Sequence, residues 1–151
     1  MLFMIYSEPE YNKAFNFILP GLTITFLSTF ISFIIALFLG LISGIGRISK
    51  NKFARTISRT YIEFIRGVPV LILIFTIAFV VVVRAAEFFN INNGNVPMLV
   101  RAIIALSVFY GAYIAEVFRA GIESVPVGQR EGGASLGLSE RQVMRHIVLP
   151  Q

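Results

Sequence analysis

The sequence has no cysteine, no tryptophan and no aspartate, and only one histidine. Each absence removes a class of chemistry. Without cysteine there are no disulfides and no thiol nucleophile. One histidine with neither cysteine nor aspartate leaves too few ligands for a metal site. A Ser-His-Asp constellation lacks its acid, and the lone His146 lies on a polar segment beyond the last apolar run, where it reads as a surface residue. The Gly132-Gly133 pair has no following lysine and no preceding strand, so it is not a phosphate loop. Nothing here supports an enzyme, and no cofactor is implied. Charge is also scarce, at 14% of residues, against ~25% in soluble domains.

Apolar residues make up 56% of the chain, which places it in the membrane class. The net charge of +5 could point to nucleic acid. The basic residues border apolar runs, however, and positive charge on the cytoplasmic side of a membrane is the better reading. Met1 to Asn12 carries acid instead of a basic region, so no cleavable leader is evident. The expected fold is all-α: a polytopic helical bundle with spans at about 21–45, 60–83 and 98–119.

Tyr11 to Leu19 is aromatic and stops at Pro20-Gly21. It is expected to form an interfacial helix along the membrane; the alternative is that it forms the first turns of the first span. No charge occurs between Lys13 and Arg47. Thr25 and Thr29, and Ser28 and Ser32, are each four apart, which lines hydroxyls along one side. They either face a neighbouring helix or cavity, or bond back to their own carbonyls. Arg47, Lys50, Lys52, Arg55 and Arg59 follow with no acid among them. That loop is assigned to the cytoplasm, which puts Met1 outside and Gln151 inside. In the second span, Glu63 and Arg66 are spaced for an i, i+3 pair, and Pro69 is expected to open or kink the helix.

The charge-free part of the third span, Ala102 to Ala115, is too short to cross alone. Glu116 therefore lies in or near the membrane, where a carboxylate is a functional candidate. The competing reading is a boundary pairing of Arg119 with Glu116 and Glu123. Gly111 and Ala115 are small residues spaced for close helix contact. Beyond them, Arg130 to Gln151 reads as two short helices. Gly137 suits a left-handed cap, and Ser139 with Gln142 forms a capping box. Val143, Met144, Ile147 and Val148 share one face of the second helix, which Pro150 bounds. Such a hairpin on a membrane anchor is a docking element.

This stretch resembles the EAA loop of permease subunits of bacterial ABC importers. The matching residues are Glu131-Gly132-Gly133, Gly137 and Ile147-Val148-Leu149-Pro150. Further blocks are similar to the polar amino-acid branch: Gly21 to Thr25, Glu63 with Arg66 to Leu71, Ala112 to Ile122, and Val125 to Gln129. The likeness covers nearly the whole chain. The resemblance implies a bacterial plasma-membrane protein in which two permease subunits form a pathway through the bilayer. A cytoplasmic ATPase would take the loop at about 128–150 in a groove and drive the switch. An extracytoplasmic binding protein would deliver the amino acid. The residues implied in coupling are Glu131, Gly137, Leu138 and Ser139. The pathway candidates are Glu116, Thr25, Ser28 and Thr29. Both alanines of the motif are glycine here, so the first docking helix is expected to be looser, at ~1 kcal/mol per glycine. Family members continue with further spans, so the resemblance implies an N-terminal portion. The alternative is a non-transporting anchor or regulatory subunit whose hairpin recruits a partner.

Overall fold

The computed structural model describes residues 9–151; the outside position expected for Met1 concerns a residue outside that range. Helix α1 runs Pro9–Ile48, and α2 runs Lys52–Gly67. Helix α3, Val70–Phe88, contains a π-helical stretch at Ile77–Val81. Helix α4 spans Met98–Ser124. A short pair follows: α5, Val127–Ser135, and α6, Glu140–Val143, which continues as a π-helical turn over Met144–Val148. Three helices, α1, α3 and α4, are long and apolar enough to cross a membrane. The described residues contain no strand.

The separate interfacial helix expected at Tyr11 to Leu19 is not there. Helix α1 continues through Pro20 for 40 residues. Proline removes one i→i−4 bond, but its φ already suits a helix. Beyond it the hydroxyls bond within the helix: Thr23 Oγ1 donates to the Leu19 carbonyl at 3.2 Å and Thr25 Oγ1 to that of Gly21 at 2.9 Å. At 1.5 Å per residue α1 is roughly 60 Å long, twice the ~30 Å hydrocarbon thickness. Its exposed first turns therefore extend beyond what packs against the other helices.

The segment expected to span at 60–83 is divided. Val68 and Pro69 are extended, at φ −100° and −55° with ψ 138° and 133°. Residues before a proline avoid the helical region, so α2 ends at Gly67 and the apolar helix begins at Val70. Asn51 caps α2, its Oδ1 accepting from the amide of Phe53 at 2.9 Å. Helix α2 is amphipathic and buries Ile62 and Ile65.

The main contact joins α1 to α4, and small residues make it possible. A Cβ at Gly40 would lie 2.5 Å from Ile114 Cγ2 and 3.1 Å from the amide nitrogen of Ala115. One at Gly44 would lie 3.0 Å from the Ala115 carbonyl, and one at Gly111 would lie 3.0 Å from Leu39 Cβ. Thus Gly40 and Gly44 meet Ala115, and Gly111 meets α1 at Leu39, so both small residues that the sequence marks for close contact lie against α1. In lipid there is no hydrophobic drive between helices, so such packing and interhelical hydrogen bonds hold the bundle. Ser107 Oγ donates to the carbonyls of Ile103 at 2.7 Å and Ser32 at 3.3 Å. Tyr61 Oη donates to the Val108 carbonyl at 2.6 Å, which ties α2 to α4. The adjoining core contains Ile65, Leu73, Ile77, Val82 and Phe109.

Gly40→Ala is expected to lower stability by roughly 1–3 kcal/mol through overpacking. Thermal unfolding in detergent checks this. Gly21→Ala meets nothing within 4 Å, so it should be neutral or gain up to ~1 kcal/mol of helix propensity.

Candidate functional site: a carboxylate hub and a capped hairpin

The close approach of α1 and α4 brings Arg47, in the last turn of α1, against Glu116. Arg47 Nη1 donates to Glu116 Oε2 at 2.7 Å. Arg119 Nη2 donates to the other oxygen at 2.5 Å, and Arg66 Nη1 lies 3.6 Å from Oε2. Arg119 also pairs with Glu123. One carboxylate thereby gathers guanidiniums from α1, α2 and its own helix. The boundary pairing of Arg119 with Glu116 and Glu123 is present, but it is only part of the arrangement.

The expected Glu63–Arg66 pair does not form. Glu63 accepts from Arg59 at 2.7 Å and lies 4.0 Å from Arg47. Arg66 turns towards Glu116 and stacks over Tyr113, 5.5 Å from its ring centroid. The i, i−4 partner serves Glu63 equally well, which frees Arg66 for the adjacent helix. The hydroxyls of α1 divide. Thr25 and Ser28 donate to their own helix carbonyls. Thr29 instead lines a cavity of about 410 Å³ with Ser32, Phe33, Leu106, Tyr110 and Ile114.

The hairpin forms as its punctuation dictates. Gly137 has φ +79°. Its amide donates to the Ala134 carbonyl at 2.9 Å, and that of Leu138 donates to Gly133 at 3.1 Å. This is a Schellman ending for α5. Gln142 Oε1 reaches back to the Ser139 amide at 2.9 Å and starts α6. Val143 and Val148 are buried with Ile122 and Val125 at the end of α4, beside Ile48 of α1 and Leu138, Met144 and Ile147. Leu138 is thus an internal contact of the hairpin, whereas Glu131, Gly137 and Ser139 are exposed. Leu136, which the motif did not single out, is 83% exposed at the turn. His146 is exposed, with Nδ1 3.0 Å from the Gln142 carbonyl.

Of the two glycines for which a looser first helix is expected, Gly133 is closely packed. A Cβ there would meet Ile147 Cδ1 at 2.5 Å and Val143 Cγ2 at 3.0 Å, whereas Gly132 faces open space. Gly133 is where α5 and α6 touch, so its missing side chain is packing rather than slack. Among the described residues, no group of His, Cys, Asp or Glu could hold a metal ion.

Three outcomes follow for stability, all read by thermal unfolding. Glu116→Ala leaves three guanidiniums facing one another and should cost about 2 kcal/mol or more. Gly132→Ala should stabilise by ~1 kcal/mol. Gly133→Ala should not, unless Ile147→Val is added to make room.

The comparisons with known proteins agree with this arrangement. Residues 36–151 match the family of binding-protein-dependent transport system inner membrane components. The chain is similar to the probable amino-acid ABC transporter permease protein YckA of Bacillus subtilis, at 37% identity over 92% of this chain and 58% of that one. It is also similar to the histidine/lysine/arginine/ornithine transport system permease protein HisQ of Escherichia coli, at 32% identity over 88% of this chain and 60% of that one. A crystal structure of an amino acid ABC transporter with histidines superposes with a TM-score of 0.79, at 31% identity, over 94% of this chain and 63% of that chain. This sequence therefore spans about three-fifths of the length of these relatives. With the motif blocks, the helix order and the hairpin all in agreement, the chain belongs to the family of binding-protein-dependent transport system inner membrane components.

Proposed function

We propose that this chain forms part of the translocation pathway of an ATP-driven importer of amino acids and docks a cytoplasmic ATPase through its hairpin. The observation that carries the reading is a division of the hairpin's apolar residues. Val143 and Val148 are buried against the ends of α1 and α4. Leu136, Val127 and Leu149 stay exposed, at 83%, 67% and 60%. One side seats the hairpin on the membrane helices, and the other is left for a partner. Glu131 and Ser139 supply a polar rim, Gly137 the turn, and Leu138 the internal contact that keeps the two short helices together.

In this reading, closure of the ATPase pair moves the hairpin, and the movement passes to the bundle at Ile48 and Ile122. A second permease subunit completes the pathway, and an extracytoplasmic binding protein delivers the amino acid. The relatives' names point to amino-acid cargo. Thr29 beside its cavity, with Thr25 and Ser28 on the same helix, are the proposed wall of the pathway. Glu116 belongs at its cytoplasmic end, where its three guanidiniums set the local charge. Orientation follows the basic loop at Arg47 to Arg59, with Gln151 in the cytoplasm.

The ATPase is expected to copurify with the permease and to be lost by at least about tenfold on Leu136→Glu or Glu131→Lys. Uptake of labelled amino acids into vesicles holding all subunits should require ATP. ATPase association that neither substitution changes would remove the docking assignment. An intact ATPase complex without uptake would make the chain an anchor instead. Glu116→Gln should shift uptake rate or preference; a change in expression level alone would reduce Glu116 to a structural tie.

A further inference from the structure

Where α1, α2, α4 and the hairpin meet, they enclose an open cleft of about 500 Å³. Four arginines line it, Arg47, Arg55, Arg119 and Arg130, together with one carboxylate, Glu123. The charges are unevenly matched. Arg47 is held by Glu116, and Arg119 by Glu116 and Glu123. The Arg55 side chain makes no hydrogen bond or ion pair among the described residues, its amide alone donating to the Asn51 carbonyl. Arg130 donates from Nη2 to the Ile122 carbonyl, but its Nε is buried without a partner. Two guanidiniums therefore share one cleft with no acid assigned to either. A buried N–H without an acceptor is costly and rare, so the cleft lacks an acceptor. The surrounding positive charge favours an anion as that acceptor.

We propose that this cleft binds the phosphate group of an anionic phospholipid from the leaflet on the basic side of the bundle. Guanidinium forks match phosphate oxygens in pairs. The level is right for a headgroup. Arg47 lies one residue from the end of α1, and Arg55 lies in the first turn of α2. Towards the apolar middle, α1 exposes Ile42 and Ile45, and α4 exposes Val117, apolar side chains at the depth that acyl chains occupy below a headgroup. Basic pockets between membrane helices on the cytoplasmic side are where acidic headgroups lodge. Glu123 would repel an anion if it were free, but Arg119 already sits on it. A bound headgroup joins Arg55 of α2 to Arg130 of α5. It thereby braces the hairpin at a point separate from its exposed outer face.

The test uses the purified full chain in neutral detergent. Phosphatidylglycerol, phosphatidylcholine and inorganic phosphate are titrated separately, and bound lipid is read by native mass spectrometry. Phosphatidylglycerol should be retained in preference to phosphatidylcholine. Arg55→Gln and Arg130→Gln should each weaken its binding about fivefold. Lys52→Gln, on the same basic loop but outside the cleft, should change it by less than about twofold. Arg130→Gln also loses the bond to Ile122; if that variant is unstable, Arg55→Gln decides alone, since it has no protein partner to lose. Binding that Arg55→Gln leaves unchanged overturns the site, as does an equal loss with Lys52→Gln. Displacement of phosphatidylglycerol by millimolar inorganic phosphate overturns the lipid as the source and assigns the cleft to a soluble anion.

Discussion

The structure depends on how closely α1 and α4 approach each other. Gly40, Gly44 and Gly111 present no side chain at the crossing, and Ala115 presents only a methyl. Bilayer hydrocarbon is as apolar as leucine, so nothing squeezes these helices together from outside. They stay together because backbone meets backbone, and because Ser107 and Ser32 add hydrogen bonds across the contact. That approach sets the relative height of the helix ends. It is the reason Arg47 reaches Glu116, and the reason Ile48 and Ile122 lie side by side to receive the hairpin.

Charge is arranged on that frame. A carboxylate on an apolar helix is expensive unless it is matched. Glu116 is matched by three guanidiniums, so its cost becomes a tie between α1, α2 and α4. Arginine suits the role better than lysine because each planar group can hold a carboxylate oxygen and keep donors for a second contact. Arg119 does this with Glu116 and Glu123. Arg47 does it with Glu116 and, more distantly, Glu63. The same preference leaves the neighbouring cleft richer in cations than in acids.

The hairpin belongs to the same mechanical unit. Gly137 and Gln142 fix its turn and its second helix by local chemistry. Its seat comes from apolar side chains of the two long helices. Gly133 shows how a departure from a motif is absorbed. The missing methyl of α5 is taken up by Ile147 and Val143 of the facing helix, so the pair closes around the smaller residue.

Local patterns determined a good part of this protein. Long uncharged runs marked the apolar helices, because hydrocarbon tolerates no unpaired backbone. Pro69 marked the break before α3, Gly137 the left-handed cap, and Ser139 with Gln142 the start of α6, since each acts within a few residues of itself. Pro20 misled: it looked like a boundary, yet α1 runs through it, since a proline's φ is compatible with a helix that the surrounding residues continue. The partners of Glu116 were decided by tertiary structure alone. Arg47 lies 69 residues away in sequence and reads there simply as one of several basic loop residues. The choice of Arg66 for Glu116 over Glu63 was likewise invisible, because i, i+3 spacing permits a pair without requiring it. The exposure of Leu136 and the burial of Leu138 also needed the fold. Which of the two leucines flanking Gly137 turns inward depends on where α5 meets α6 and α4, a meeting that no local spacing encodes.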